Sequence, residues 1–375
     1  MTTPLVRNSL SRSPLRRRVL FVTVPAVALV ASAVALQPIA HAGTTSTSTP
    51  TSTPPQFQLL TTVPLQTNAH FGVTVNRALN KIYTSGGATL GDSQHVVVID
   101  GETFATTDVG IGSGASVDNK TNRYWAASVC SSVYGCSALV RDGTTNSVIA
   151  TVPISVGCPI QTNYDFFRNR VWVSGQCNAL HDPIFAINAK TFSIIAGPID
   201  SGGIMGPIIA NGTNGRLYFT DQDGGVGNYI SKRVDPTTFA VTVNAFGTVK
   251  AINARTNKLY AVPDTTNDLQ IIDGRPDPEV ILKTVTLSYH PPSLGINPAL
   301  NHLYVANSVG QSIEVRDPSK GTLITTFSLG LTPDGPMAVD SIRGRIYVIS
   351  YTPSSQLLVI EDLISAFEPD CILSH

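Results

Sequence analysis

The chain has 375 residues, of which 42% are hydrophobic and only 13% are charged, and its formal net charge is zero. Such a chain offers no general attraction to phosphate backbones or anionic lipid, so a nucleic acid is not predicted as a partner. The 30 glycines and 25 prolines favour an all-β protein with many short strands and turns.

Residues 1–42 have the order of a secretory signal peptide. Five arginines and no acidic residue lie in this segment, which continues with an apolar run from Val19 to Leu36 and ends in Ala40-His41-Ala42. Cleavage is predicted after Ala42, which leaves 20 basic and 25 acidic residues and no membrane span. The apolar run is marginally long enough to cross a bilayer, so an uncleaved anchor is the alternative.

The segment 43–56 is mostly Thr, Ser and Pro. It cannot bury enough apolar surface to offset the entropy of ordering, so it is predicted to be a disordered tether. Residues 57–365 are predicted to form one folded domain, and 366–375 a C-terminal tail. These segments together predict a secreted or cell-envelope protein.

One motif occurs seven times in the folded domain. It consists of Asn or Asp, three residues, Asn or Gly, a basic residue, an apolar or aromatic residue, and Tyr or Trp. The final aromatics are Tyr83, Trp125, Trp172, Tyr218, Tyr260, Tyr304 and Tyr347, at spacings of 42, 47, 46, 42, 44 and 43 residues. A self-similar period of this length indicates a repeat architecture.

Each position of the motif has a physical role, as the sixth copy illustrates. Asn297 can cap a tight turn through its own side chain. Asn301 tolerates the left-handed backbone that the turn requires. Tyr304 then opens a strand, and a second apolar run ends at Asp317. Four strands per repeat and seven repeats predict a seven-bladed β-propeller of four-stranded antiparallel blades.

The two ends of the domain predict how the ring closes. The seventh repeat ends with the strand 357–360 and has no outer strand of its own. The segment at about 57–63 looks like an outer strand without a repeat. We expect it to pair onto blade seven, which would leave no open end to the ring and limit aggregation through edge strands.

The repeats resemble the YVTN-type propeller repeat family. The sixth repeat carries the resemblance best, with Gly295-Ile296-Asn297-Pro298, then the segment 301–307, then 313–317. The third and fourth repeats depart most, since 184–188 and 231–235 replace the usual apolar strand. The resemblance covers about residues 57–362 and implies the propeller fold. It implies no single function, because the family spans surface, scaffold and enzyme roles.

Five cysteines remain after the signal segment. Cys130 and Cys136 lie in one loop of blade two, and Cys158 and Cys177 lie at neighbouring strand ends of blade three. An exported chain meets oxidising conditions, so bridges Cys130–Cys136 and Cys158–Cys177 are predicted. A thiolate metal site is the alternative, although the spacings match no zinc pattern. Cys371 is left over, either as a thiol or as a link between two chains.

Ligands of propellers usually meet the face at which the inner strands begin, which we call the funnel face. The loops of that face carry candidate catalytic residues and candidate binding residues. The catalytic candidates are His70, His181, His290 and Asp334, and the binding candidates are Asp92, Asp182, Asp221, Asp223, Asp264 and Asp268. Such side chains could hold a divalent metal or act as acid and base, but loop aspartates are also commonly solvated. No cofactor is predicted.

The sequence favours a non-catalytic role. It contains no G-x-S-x-G elbow, H-E-x-x-H motif, phosphate loop or c-type haem motif. We therefore expect a monomeric binding or scaffold protein whose funnel face takes a protein, a glycan or a small molecule. The alternative is an enzyme, either a lactonase-type hydrolase or a metal-assisted lyase, by analogy with similar rings. Convergence of the four catalytic candidates within one metal coordination sphere would favour the enzyme.

Overall fold

A computed structural model of the chain describes residues 57–65, 72–86, 94–154, 157–176, 182–222 and 229–363. These ranges contain 29 strands in seven antiparallel sheets, and each sheet is one blade. The predicted signal segment, tether and C-terminal tail, including Cys371, lie outside the described residues. Within them, no helix has the length and hydropathy needed to cross a membrane.

Each of the first four blades runs from an inner strand to an outer strand. Blade one contains β2 (Val73–Asn76), β3 (Lys81–Gly86), β4 (His95–Asp100) and β5 (Thr106–Ile111). Blade two contains β6 (Ser113–Asp118), β7 (Arg123–Ala127), β8 (Ser137–Asp142) and β9 (Val148–Pro153). Blade three contains β10 (Cys158–Asp165), β11 (Arg170–Gln176), β12 (Pro183–Asn188) and β13 (Ile194–Asp200). Blade four has a divided inner strand, β14 (Ile204–Met205) and β15 (Ile209–Ala210), followed by β16 (Leu217–Gln222), β17 (Tyr229–Val234) and β18 (Val241–Val243).

The last three blades complete the ring. Blade five contains β19 (Thr248–Asn253), β20 (Lys258–Val262), β21 (Asp268–Asp273) and β22 (Val280–Thr286). Blade six contains β23 (Leu294–Asn297), β24 (His302–Asn307), β25 (Ser312–Arg316) and β26 (Leu323–Ser328). Blade seven contains β27 (Met337–Asp340), β28 (Arg345–Ser350), β29 (Gln356–Asp362) and β1 (Phe57–Pro64). The inner strand of blade seven contacts that of blade one, so the ring is closed.

The predicted N-terminal closure of blade seven is confirmed. Strand β1 pairs antiparallel with β29, from Phe57 opposite Asp362 to Pro64 opposite Gln356. The outer strand of the last blade therefore comes from the opposite end of the chain. Pairing covers the edge of β29, which would otherwise be open to a strand of another chain.

The seven turn motifs adopt the predicted geometry. The first motif residue of every copy accepts hydrogen bonds of 2.9–3.3 Å from backbone N–H groups in its turn. The fifth residue of every copy has a positive φ, between 49° and 77°. Those fifth residues are Asn80, Asn122, Asn169, Gly215, Asn257, Asn301 and Gly344. Asn and Gly adopt this backbone with little strain, which explains their recurrence there.

The motif aromatics form the contacts between blades. All seven are at most 1% exposed. Tyr83 of blade one packs on Tyr124 of blade two with ring centroids 4.4 Å apart. Tyr347 of blade seven lies in one apolar cluster with Val75 and Ile82 of blade one. Burial of one large apolar side chain contributes about 1.5–3 kcal/mol, so seven such contacts stabilise the ring strongly.

Six of the seven basic motif residues contact the next blade. The Lys81 ammonium donates to the carbonyl of Gly143 at 2.7 Å, in the outer hairpin of blade two. The Arg170 guanidinium donates to the carbonyl of Pro236 at 2.7 Å, in the outer hairpin of blade four. Contacts to the following blade are also made by Arg123, Arg216, His302 and Arg345. The turn face is therefore occupied by structural contacts.

Removal of β1 should open the ring. A chain that starts at Leu65 loses the partner of β29 and the buried side chains Phe57 and Val63. We expect its free energy of unfolding to fall by more than about 3 kcal/mol, and we expect it to self-associate in size-exclusion chromatography. A chain that starts at Gln56 is the matched control and should unfold like the full domain. Equal stability of the two chains in urea denaturation would contradict the closure.

Candidate functional site

A cavity of about 590 Å³ lies at the centre of the ring on the funnel face. Residues at the beginning of the inner strands of blades four to seven line the cavity, together with Asn163 of blade three. Half of the 16 lining residues are Ile, Val, Leu, Met or Pro. We call it the funnel cavity, and its size and apolar walls are typical of small-molecule sites.

The polar groups of the funnel cavity are few. The uncharged ones are Asn163, Thr220, Tyr229, Thr248 and Ser293. Lys250 and Asp264 are the two charged residues among the described residues that line it. A second cavity of about 210 Å³ shares Asn163, Ile208 and Pro336 with the first, so both belong to the central channel.

The divided inner strand of blade four forms part of the wall. Strand β14 pairs with the end of β16, and β15 pairs with its beginning. Pro207 lies in the gap and has no N–H to continue the ladder. Gly206 keeps one hydrogen bond, from its N–H to the carbonyl of Thr220 at 2.8 Å. Gly206, Pro207 and Ile208 therefore face the cavity at the point where the strand is interrupted.

Lys250 occupies an irregular position in β19. Val249 pairs with Ala261 and Ala251 pairs with Tyr260, so Lys250 is the extra residue of a β-bulge. Bulges redirect side chains and recur beside functional sites. The Lys250 Nζ donates to the carbonyl of Pro292 at 3.0 Å.

The environment of Lys250 lowers its pKa. Burial removes water from the ammonium group and lowers the pKa of Lys250 below its usual 10.5. The carboxylate of Asp264 acts in the opposite sense, but burial is the larger effect. Within the described part of the chain Lys250 forms no salt bridge.

Lys250 is not among the site residues predicted from the sequence, although the sequence carries a signal for it. The residue three positions before the first motif residue is apolar or Thr in the other six blades. Those six residues are Val73, Ala115, Thr162, Ile208, Leu294 and Met337. In the fifth blade the same position is Lys250. Comparison of the inner strands with one another would have identified the one cation among them.

Of the predicted binding residues that the structure describes, Asp264 lines the funnel cavity. It is exposed, and it accepts a hydrogen bond from the Thr248 hydroxyl at 2.9 Å. Asp268 accepts a hydrogen bond from the Thr286 hydroxyl at 2.6 Å and does not line the cavity. Asp92 and Asp223 lie outside the described residues.

Two other predicted binding residues are buried in blades three and four. Asp182 is 1% exposed, and its backbone binds Ser201 and Gly203. Asp221 is fully buried and forms an ion pair with Lys232. The Lys232 Nζ also donates to the carbonyl of Ser201 at 2.9 Å. The ion pair uses Oδ2, whereas Oδ1 of Asp221 is buried and has no hydrogen-bond partner among the described residues.

The described catalytic candidates are held by different loops. The His290 Nδ1–H donates to the carbonyl of Thr266 at 3.0 Å. Asp334 accepts a hydrogen bond from the N–H of Tyr351 at 2.8 Å. Neither belongs to a group of described His, Cys, Asp and Glu side chains close enough to share a metal ion. His70 and His181 lie outside the described residues, so convergence of all four stays a prediction.

The predicted Cys130–Cys136 bridge is present, in the loop between β7 and β8. The Sγ of Cys158, at the start of β10, lies 2.7 Å from that of Cys130. The three sulfurs lie within 4.8 Å of one another and form the one metal-competent group found among the described side chains. Cys177 lies outside the described residues, so the Cys158–Cys177 bridge stays a prediction.

Comparison with known proteins supports the fold alone. No protein-family model and no curated protein matches the chain. The β-propeller domain of Cps50 (Swd1) from Myceliophteria thermophila superposes with a TM-score of 0.60 at 9% identity, over 81% of this chain and 99% of that one. Kuenenia stuttgartiensis hydrazine synthase superposes with a TM-score of 0.58 at 13% identity, over 80% of this chain and 97% of that one. At such identities the likeness carries no activity to this chain.

The structural role of Asp221 can be tested by substitution. The change Asp221→Ala leaves the buried Lys232 ammonium without its partner, so we expect a loss of about 3–5 kcal/mol in the free energy of unfolding. The control Asp264→Ala removes an exposed carboxylate and should cost less than about 1 kcal/mol. Urea denaturation measures both values.

A double variant separates loss of the pair from loss of packing. Asp221→Leu with Lys232→Met removes both charges together, so most of the stability should return. Similar losses for Asp221→Ala and Asp264→Ala would show that the Asp221 pair is not structural.

Proposed function

We propose that this protein is an exported binding protein that takes a small, largely apolar ligand into the funnel cavity. The observation that carries the proposal is the cavity itself, which has apolar walls and two charged groups at the centre of the ring. Ligand sites of proteins commonly have 300–1,000 Å³ and a few convergent polar groups. The funnel cavity has both properties.

The polar groups limit what the ligand can be. The Lys250 Nζ and the Asp264 carboxylate line the same cavity. A purely anionic or purely cationic molecule would meet one favourable and one unfavourable charge. A ligand that is neutral, with one polar group for Lys250 and an apolar body for the walls, fits this arrangement best.

Export is supported by the N-terminal sequence and by the disulfide. The basic segment, the apolar run and Ala40-His41-Ala42 are typical of a secretory signal. The Cys130–Cys136 bridge is a feature of proteins that fold in oxidising compartments. The seven turn motifs also lead us to place the chain with the YVTN-type repeat family.

The enzyme alternative has less support in the described part of the ring. A lactonase-type hydrolase or a metal-assisted lyase needs histidines and carboxylates gathered around one point. The described candidates His290 and Asp334 each serve a separate loop. The binding proposal uses the cavity that is present and requires no such group.

Filling the cavity should weaken binding. Thr248 lines the cavity, so the indole of Thr248→Trp would occupy ligand volume. With the neutral dye N-phenyl-1-naphthylamine as the probe, we expect the fluorescence titration to show roughly tenfold weaker binding. The control Thr242→Trp adds the same indole to an exposed position of β18 and should bind like the unaltered protein. Equal titrations for the two variants would contradict a site in the funnel cavity.

Export has its own test. When the full chain is produced in a bacterium with its own N-terminal segment, we expect the extracytoplasmic protein to start at Gly43. N-terminal sequencing of the purified protein measures the start. The variant Ala42→Leu removes the small residue at the cleavage site and should retain the segment. A protein that stays in the cytoplasm with residues 1–42 attached would rule out export.

A further inference from the structure

We propose that Lys250 captures an apolar aldehyde in the funnel cavity by forming an imine with its carbonyl carbon. The proposal rests on the proposed ligand-binding role of that cavity, and it names the chemical class of ligand and the residue that holds it. It is carried by the position of Lys250, by its contacts, and by the chemistry of the walls around it.

The position of Lys250 is specific to one blade. Six of the seven equivalent inner-strand positions carry an apolar residue or Thr. In blade five a β-bulge between Val249 and Ala251 accommodates the lysine. The bulge leaves its backbone outside the regular ladder, and the residue lines the cavity. A cation placed at a bulge on a cavity wall indicates a use other than strand packing.

The contacts of the amine leave it able to react. A structural lysine of this protein, Lys232, binds both the Asp221 carboxylate and the Ser201 carbonyl. Among the described residues, the Lys250 Nζ makes one hydrogen bond, to the carbonyl of Pro292. That bond uses a donor of the nitrogen and leaves the lone pair of a neutral amine available. It also fixes the nitrogen beside the cavity wall.

The protonation of Lys250 agrees with this role. A lysine attacks a carbonyl only as the neutral amine, and desolvation is the usual way in which proteins supply it. Burial lowers the pKa of Lys250. Each unit by which the pKa falls raises the neutral fraction at pH 7 about tenfold.

Formation of the imine needs no reactant other than the Lys250 amine and the aldehyde. The Lys250 nitrogen adds its lone pair to the carbonyl carbon, and a carbon–nitrogen bond forms. The carbonyl oxygen then leaves as water with the two amine protons, and a carbon–nitrogen double bond remains. No atom is oxidised or reduced, and the reaction reverses by hydrolysis.

The surroundings favour an aldehyde over a carboxylate as the partner of Lys250. A carboxylate ligand would lie in the same cavity as the Asp264 carboxylate, and like charges repel there. A neutral carbonyl compound avoids this repulsion. Ile209, Leu294 and Met337 contribute apolar walls for its hydrocarbon part. The cavity therefore selects an apolar aldehyde.

Reductive trapping tests the proposal on the mature protein. We would incubate the protein with benzaldehyde at pH 7, reduce with sodium borohydride, digest, and locate benzyl groups by mass spectrometry. We expect Lys250 to be labelled on the order of tenfold more than the exposed lysines, because the cavity holds the aldehyde beside its amine. Those exposed lysines are Lys120, Lys190, Lys283 and Lys320. Equal labelling of Lys250 and this set would overturn the proposal.

Two variants and one control test whether the label marks Lys250 inside the cavity. Lys250→Arg should lose the label at this position, and the control Lys283→Arg should keep it. Thr248→Trp leaves Lys250 in place but fills the cavity, so it should lower the labelling of Lys250 and leave the rim lysines unchanged. Unchanged labelling of Lys250 in Thr248→Trp would show that the aldehyde reacts outside the cavity, which overturns the proposal.

The dye titration separates the two proposals. If Thr248→Trp weakens dye binding while Lys250 of the unaltered protein stays unlabelled, imine capture is wrong and the funnel still binds ligands. If the unaltered protein neither binds the dye nor becomes labelled, both proposals are wrong. Selective labelling of Lys250 that Thr248→Trp abolishes supports both.

Discussion

The tight turn between the first two strands of each blade is the constraint on which this ring depends. An Asn or Asp side chain caps the turn, and an Asn or Gly in the left-handed region completes it. The next residues are then fixed in direction. The basic side chain reaches the following blade, and the aromatic ring is buried between blades. One local geometry, repeated seven times, therefore sets both the fold of a blade and its contact with the next.

This constraint also divides the two faces of the ring. On the turn face the charged and aromatic residues are used in contacts between blades. On the funnel face the inner strands begin, and their first residues meet no such requirement. The interrupted strand of blade four and the bulge of blade five both occur there, and both line the funnel cavity.

Two lysines illustrate how burial decides between structure and chemistry. Lys232 is buried with a carboxylate and a carbonyl, so its charge is compensated and the pair fixes the blade. Lys250 is partly buried beside a cavity with one carbonyl as its hydrogen-bond partner, so its charged form is disfavoured. The same residue type serves as a structural cation in blade four and as a candidate nucleophile in blade five.

The blade count, the turn geometry, the closing strand and the Cys130–Cys136 bridge followed from the sequence, because each depends on local spacing or on the repeat. The site followed only in part. Asp264 was predicted as a binding residue and lines the cavity. Asp221 was predicted from the same kind of loop position, but it is buried and paired with Lys232. Lys250 was not predicted, since its environment is made by a bulge and by residues of other blades. Whether a given side chain is buried or paired depends on contacts between distant segments of the chain. Residue type and spacing along the sequence therefore do not predict it.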